Sequence, residues 1–352
     1  MKILVYGDPH WCAYSSIVRS RGNKYSTRLE NLIQTMNWIE DTAVNNYCER
    51  IICLGDFFDR AELTGEEITA LEEIRWTDIM HTYIVGNHEM ARSDVKMSTA
   101  HLFGLSQNFE VADSVGIYNC ENVQLCFLPY VLESDRKPLE EYLVPTTKDR
   151  IIFSHNDIKD IQMGRFKSTE GFSIEEIERN CRLFVNGHIH NTSHVGTKII
   201  NLGNITGQNF SEDANYYRHY ALLIDTDTFG VEFIENPYAF NFYKLSLVGY
   251  EPLTDTDMTI PDIFKFGTTG TAIVTVKTCK KNESIVRQSI KDNPNIIESR
   301  VIVDMMRDIQ NTVSETVTDF SVDHLSQFVS YMTAELGESE QVLDELRKVA
   351  GI

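Results

Sequence analysis

Long apolar runs are missing from this sequence, and so is any surplus of positive charge. Hydrophobic residues make up 42% of the chain, yet no tract of about eighteen consecutive apolar residues occurs, so no transmembrane span is expected. Lysine and arginine number 32 against 52 aspartates and glutamates, a formal net charge of −20. A surface that gripped nucleic acid over its whole extent would be basic. This one repels a polyanion at long range, so any phosphate it handles should be drawn in by metal ions or a partner subunit. Cysteine is scarce as well. The seven cysteines, at positions 12, 48, 53, 120, 126, 181 and 279, include no C-x-x-C pair. That pattern excludes a disulfide framework or zinc knot and points to free thiols in a reducing cytoplasm. Met1-Lys2 runs directly into Ile3-Leu4-Val5-Tyr6, so no signal peptide is expected. Internal repeats and low-complexity segments are also lacking.

What the 352 residues do contain is enough for one large catalytic domain and a smaller appendage. Short β-rich apolar runs recur at Lys2–Tyr6, Arg50–Leu54, Thr82–Val85, Arg150–Phe153 and Leu183–Asn186, separated by helical stretches such as Thr27–Asn46 and Thr64–Met80. This alternation predicts an α/β domain with largely parallel central strands. Further strands at Val123–Leu128, Lys198–Asn201, Tyr220–Asp225 and Val231–Ile234 predict a second sheet packed on the first, a two-sheet α/β sandwich over residues 1–235. Near Asn236-Pro237 the organisation changes. Phe242–Val248, Thr271–Lys277, a helical Glu283–Asn293 and Ile296–Asp304 predict a small β-β-α-β unit within 236–305. Residues 306–320 are polar and linker-like, and 321–352 predict a helical tail. There Ser321 is a candidate N-cap for Val322–Leu336, Gly337 a stop, and Ser339–Val349 a second helix.

Each of the first five strands ends in residues of metal-ligand type. They run into Gly7-Asp8-Pro9-His10, Gly55-Asp56-Phe57-Phe58-Asp59-Arg60, Gly86-Asn87-His88-Glu89, Ser154-His155-Asn156-Asp157 and Gly187-His188-Ile189-His190. In open α/β sheets, ligands bind at the carboxyl ends of the strands. Five of the ten histidines fall there. Taken singly, each block is ordinary: Gly-Asp is a common turn, Asn-His a common loop pair, and Asp-x-His occurs by chance. All five at successive strand ends are not ordinary. Asp8, His10, Asp56, Asn87, His155, His188 and His190 form a mixed oxygen and nitrogen donor set suited to Mn²⁺, Fe²⁺ or Zn²⁺ and poorly suited to Ca²⁺. One metal needs about four to six ligands, so this set implies two ions sharing a bridge, for which Asp56 is the natural carboxylate.

The five blocks resemble the signature of the calcineurin-like metallophosphoesterases: D-x-H, G-D-x-x-D-R, G-N-H-[DE], a lone H, and G-H-x-H. The resemblance covers the first two-thirds of the chain. It implies one metal held by Asp8, His10, Asp56 and His190, and the other by Asp56, Asn87, His155 and His188. It further implies that His88 is not a ligand but acts on the leaving oxygen, oriented by a carboxylate that Asp59 matches. Asp59 could equally be a turn or helix-cap carboxylate, and Arg60 either a phosphate contact or an exposed surface arginine.

Within that superfamily the chain most resembles the SbcD-type DNA nucleases, including the recombination endonuclease subunits of bacteriophages. The resemblance rests on the early first motif, the spacing of Gly86-Asn87-His88-Glu89 after the Gly55 block, the strand-loop Ile199–Gly207 and the β-α-β unit with C-terminal helices. Two departures are visible. Pro9 and Trp11-Cys12 replace the commoner D-x-H-L-G, and Asn204 stands where a small hydroxyl residue is usual. The Ser/Thr protein phosphatases lack G-H-x-H, which sets them apart. The resemblance implies a Mn²⁺-dependent DNA exonuclease/endonuclease subunit, with Mg²⁺, Fe²⁺ or Zn²⁺ as alternative ions. It would act as a homodimer within a heterotetramer with an SbcC-type coiled-coil ATPase; the apolar stripe of Val322, Leu325, Phe328, Val329 and Met332 would either dock on that ATPase or pack on the chain itself. No membrane partner is expected. The alternative is a phosphatase or phosphodiesterase acting on small molecules or phosphoproteins.

Overall fold

The computed structural model describes residues 1–15, 24–163, 166–247 and 271–304. The linker expected at 306–320 and the helical tail expected at 321–352 lie outside the described residues.

Two six-stranded sheets carry the chain up to Glu235. In order across the first sheet lie Gly230–Glu235, Tyr220–Asp225, Lys2–Tyr6, Arg50–Cys53, Met80–Ile84 and Phe109–Ala112. The last four run parallel, Tyr220–Asp225 pairs antiparallel with Lys2–Tyr6, and Gly230–Glu235 pairs antiparallel with Tyr220–Asp225 at the edge. The second sheet is ordered Ser193–Val195, Ile199–Asn201, Leu183–Asn186, Asp149–Ser154, Val123–Leu128 and Gly116–Asn119, with its four inner strands parallel. Parallel strands with both faces covered read as continuous apolar runs, because each face needs its own packing. Arg50–Cys53 and Leu183–Asn186 are buried at every position.

Alternate residues of these strands build two different layers. Ile3, Val5, Ile52, Leu54 and Ile84 of the first sheet pack with Leu125, Phe127, Ile151, Phe153 and Val185 of the second. That shared core makes the expected α/β sandwich. The intervening residues Leu4, Tyr6, Ile51 and Cys53 face the helix Thr27–Asn45 through Leu29, Leu32, Met36 and Ile39. This helix starts where Ser26 accepts the Leu29 N–H at 3.2 Å, as a serine N-cap should.

The helix expected over Thr64–Met80 is much shorter, Gly65–Leu71. Its start is well specified by a capping box of Thr64 and Glu67. Beyond Leu71, Glu72, Glu73 and Ile74 donate three residues back, and side chains of the first helix take later donors. Asn37 Oδ1 accepts the Arg75 N–H at 2.7 Å and Glu40 Oε2 the Thr77 N–H at 3.1 Å. Trp76 then packs edge-on against His81, Phe103 and Phe109. Tertiary partners override helix propensity there.

After Asn236 come the strands Asn241–Ser246, Ala272–Thr278 and Ile296–Val303 in one three-stranded sheet, with the helix Glu283–Asp292 between the last two. This is the β-β-α-β order read from the sequence. Of the described residues, 1–245, 271–275 and 291–300 belong to one compact unit, and 246–247, 276–290 and 301–304 to another. No helix among the described residues is long and apolar enough to cross a membrane.

Candidate metal centre

The strand-end motifs leave their strands through unusual backbone. Asp8, His10, Asp56 and His188 have φ of 50°, 49°, 47° and 70°, in the left-handed region that side chains with a Cβ rarely enter. Such conformations cost about 1–3 kcal/mol each and persist only where the surroundings over-determine them. In this protein the first two turns bind each other: the N–H groups of Asp8, His10 and Trp11 donate to the carbonyls of Gly55, Asp56 and Phe57 at 3.3, 3.0 and 2.6 Å. Trp11 is fully buried, and its indole N–H donates to the Glu67 carbonyl at 3.0 Å. Two of the glycines are required for different reasons. Gly55 has φ +112°, and a Cβ there would also lie 2.3 Å from His155 Nδ1. Gly86 is needed for space alone, since its Cβ would lie 2.2 Å from Asp56 Oδ1.

All seven residues singled out as ligands are brought together. One group comprises Asp8, His10 and His190, another Asp56, His155 and His188, and a third, overlapping both, His10, Asp56 and His88, with the ligand atoms of each group within 4.8 Å of one another. Asn87 completes the second. Its Oδ1 lies 2.9 Å from His188 Nδ1 and 3.2 Å from His155 Nε2, and His155 Nε2 is also 3.1 Å from Asp56 Oδ2. Asp56 joins the two groups, with Oδ2 3.8 Å from His10 Nε2.

The outer contacts of the histidines settle which nitrogens face inward. His155 Nδ1 lies 2.8 Å from the Leu54 carbonyl, which can only accept, so the Nε2 lone pair points at Asp56 and Asn87. His188 Nε2 lies 3.2 Å from Asp157 Oδ1, which leaves the Nδ1 lone pair facing Asn87. His10 Nδ1 lies 3.2 Å from Asp59 Oδ1, and its Nε2 is 3.2 Å from His190 Nε2. Lone pairs therefore converge on lone pairs, an arrangement that a cation resolves. Electrostatics show that the carboxylates draw positive charge into the site, a proton or a cation. Burial alone would lower His155, but Asp56 and Asp8 outweigh it and push its pKa up to about 9. Burial also opposes ionisation of Asp56, yet His155 and His10 hold its carboxyl well below the usual range. His190 is pushed down to about 3 by burial and by His10, so it is a neutral donor. The donor set of carboxylate, amide oxygen and imidazole thus fits divalent metal ions.

Around this set the geometry departs from the sequence reading in two places. Asp59 was expected to orient His88, but its carboxylate is taken by His10 Nδ1 and by the Tyr14 hydroxyl at 3.1 Å. His88 Nδ1 instead lies 3.2 Å from the Asp59 carbonyl and 3.9 Å from its carboxylate. His88 is the outward member of the site, 45% exposed, with its own N–H donated to Asp56 Oδ1 at 2.9 Å. Arg60, read as a phosphate contact or a surface arginine, has partners within the chain. Its Nη2 donates to both carboxylate oxygens of Glu67, at 2.9 and 2.7 Å, and the guanidinium lies against the Tyr14 ring. The acidic capping residue of the neighbouring helix captures it.

Two residues with roles in the site escaped the sequence reading. Asp157 fixes His188, and its signal was a carboxylate two positions beyond a strand-end histidine. Glu89 is fully buried and accepts the N–H groups of Gly86 and Phe58 at 2.9 and 3.0 Å, tying the third motif to the second. Burial and the nearby Asp56 push its carboxyl up to about 7. Asn204, at the position usually held by a small hydroxyl residue, is buried and lies 3.3 Å from Glu212.

The chain is similar to several solved structures at low identity. An archaeal phosphodiesterase is 14% identical, covering 67% of this chain and 99% of its own, with a TM-score of 0.35. A dimetal phosphatase from Danio rerio is 11% identical over 63% of this chain and 91% of that one, with a TM-score of 0.41. A calcineurin-like phosphoesterase from Bacillus subtilis is 11% identical over 67% and 88%, with a TM-score of 0.34. No curated protein sequence matches the chain. The calcineurin-like phosphoesterase signature, however, matches residues 1–220, the stretch that supplies every strand end of the site. The chain belongs to the calcineurin-like phosphoesterases, a family of metal-dependent phosphoester hydrolases.

Proposed function

We propose that this protein is a Mn²⁺-dependent phosphodiesterase that cleaves DNA, the nuclease subunit of an SbcCD-like complex. The observation that carries the phosphodiester chemistry is the joining of two ligand groups by Asp56 beside an outward-facing His88. Asp8, His10, Asp56 and His190 would hold one ion, and Asp56, Asn87, His155 and His188 the other. Two bound ions supply charge neutralisation for the phosphoryl oxygens and acidify an attacking water. The protein's own contribution is position. Asp157, Asp59 and the Leu54 carbonyl hold three imidazoles with their lone pairs inward. His88 keeps the Nδ1 proton on the Asp59 carbonyl, which leaves Nε2 to exchange a proton with the leaving oxygen.

The DNA assignment rests on motif order, on the strand-loop Ile199–Gly207 beside the first motif, and on the β-β-α-β unit that follows. In that strand-loop the Ile205 N–H donates to the Gly7 carbonyl at 2.9 Å. A partner ATPase would supply the DNA grip that a chain of charge −20 does not. The same acidity favours a second reading, a phosphatase or phosphodiesterase for small molecules or phosphoproteins. Purified protein with Mn²⁺ should hydrolyse bis-p-nitrophenyl phosphate and single-stranded DNA, and Asp56→Ala or His188→Ala should abolish both activities with the fold retained. Hydrolysis of p-nitrophenyl phosphate with no action on any diester would replace the nuclease by the phosphatase.

A further inference from the structure

The turn that carries the first motif is held from both sides, and only one side belongs to the metal motifs. Its N–H groups donate to the second motif. Its carbonyls face elsewhere. Arg28 Nη2 donates to the Pro9 carbonyl at 2.7 Å, and Gln208 Nε2 donates to the Asp8 carbonyl at 3.1 Å. Arg28 reaches further, with Nη1 donating to the Gly207 carbonyl at 2.9 Å. The planar fork of one guanidinium therefore ties the turn to the loop that follows the Ile199–Asn201 strand. That loop is anchored in its own right. Glu212 Oε1 accepts the N–H groups of Gln208 and Asn209 at 2.9 and 3.4 Å.

Arg28 is 1% exposed. A buried guanidinium is costly, and an apolar residue of similar volume would often pack as well. One of its bonds goes to a turn whose backbone is under stress. Pro9 sits between Asp8 and His10, both left-handed at φ 50° and 49°, and each carries a ligand atom of the same group. A turn with unbonded carbonyls could relax toward ordinary φ, and the Asp8 carboxylate and His10 Nε2 would then swing away from His190.

We infer that Arg28 and Gln208 are positioning residues of the metal centre, holding the left-handed Asp8-Pro9-His10 turn by its carbonyls. Neither touches a ligand atom; both act through backbone. The inference rests on reading Asp8, His10 and His190 as metal ligands. Its signature is selectivity: the ion on that group should weaken, and the ion on Asn87, His155 and His188 should not.

The test is a titration of the full chain with Mn²⁺ alone, following the free ion by its EPR signal, in wild type, Gln208→Ala, Gln208→Glu and Arg28→Lys. Wild type should take up two ions. Gln208→Ala should weaken one of them by about 10- to 100-fold, the usual loss when a group that orients a metal ligand is removed, with Tm close to wild type. Gln208→Glu has the same length but sets an acceptor against the Asp8 carbonyl, so it should lose more. Arg28→Lys keeps the charge but cannot bridge two carbonyls, and the same ion should weaken. Unchanged affinity for both ions in the two Gln208 variants overturns the inference. So does equal weakening of both ions together with a fall in Tm, which would mean general loosening. Should Arg28→Lys fail to fold, the partly exposed Gln208 decides alone. A wild type that takes up no Mn²⁺ is a distinct result, which removes the metal centre and the inference with it.

Discussion

Gly86→Ala is the smallest change that should disable the site, and its size can be worked from contacts. A Cβ at Gly86 would lie 2.2 Å from Asp56 Oδ1 and 2.5 Å from the Asp56 backbone nitrogen. Ordinary contact begins near 3.4 Å, so the carboxylate must move by about 1.2 Å. Rotation alone does not relieve this, because the nearest atoms include backbone. Asp56 is already left-handed, and its Oδ1 holds the His88 N–H at 2.9 Å. Gly86 itself does not have a left-handed φ, so alanine brings a steric effect and no conformational one. A displacement of about 1 Å in a catalytic constellation can lower the rate on the order of 10²-fold, or about 2.7 kcal/mol in the barrier. Overpacking should cost a further ~1–3 kcal/mol of stability. Gly65→Ala supplies the control: it opens the second helix, with nothing within 4 Å of its Cβ. That variant should gain up to about 1 kcal/mol and leave activity alone. The assays are Mn²⁺ uptake, thermal melting and hydrolysis of bis-p-nitrophenyl phosphate. Wild-type turnover in Gly86→Ala would refute the role of Asp56 as the carboxylate shared by both ions.

Three further outcomes follow from the same geometry. His88→Ala should retain both ions and lose about 10²–10⁴-fold in rate, the usual size of an acid–base contribution; an emptied metal site in that variant would make His88 a ligand instead of a proton donor. Asp59→Asn should act chiefly through His10, lowering Mn²⁺ affinity by about 10- to 100-fold, and a loss confined to rate would restore Asp59 as the partner of His88. Glu212 is buried with Arg28, His219, Asn204 and Tyr217 about it, and burial pushes its carboxyl up to about 7 from an ordinary 4.5. The folded state thus holds a proton that the unfolded state releases, so this stabilisation is complete below pH 4.5 and is lost as pH rises through about 7. At about 1.36 kcal/mol per pH unit, Glu212→Gln should match wild type near pH 4 and exceed it by roughly 3 kcal/mol at pH 8. Parallel urea melts with no pH-dependent gap would show that Glu212 ionises normally in the fold.

The strand-end blocks could be read without coordinates because each is local. A short apolar run, in four of the five a glycine, and a ligand-type residue lie within a few positions, and parallel strands place such ends together at one end of each sheet. The strands at Lys2–Tyr6, Leu183–Asn186, Val123–Leu128 and Tyr220–Asp225 have the bounds the sequence led one to expect. Asp8, His10, Asp56, Asn87, His155, His188 and His190 were all legible as a set for the same reason. What escaped depends on partners remote in sequence. The helix from Gly65 gives way after Leu71 to turns in which Glu72, Glu73 and Ile74 donate three residues back, and Asn37 and Glu40 take the Arg75 and Thr77 N–H groups beyond them. Asp59 turns to His10, 49 residues away, and Arg60 is captured by Glu67. Arg28 looks like one more helix charge until the fold brings it to the Gly207 carbonyl, 179 positions along the chain. Residue type and spacing determine which atoms can bind a metal. Only tertiary packing decides which of their other atoms are already bonded, and so which lone pairs are left to face it.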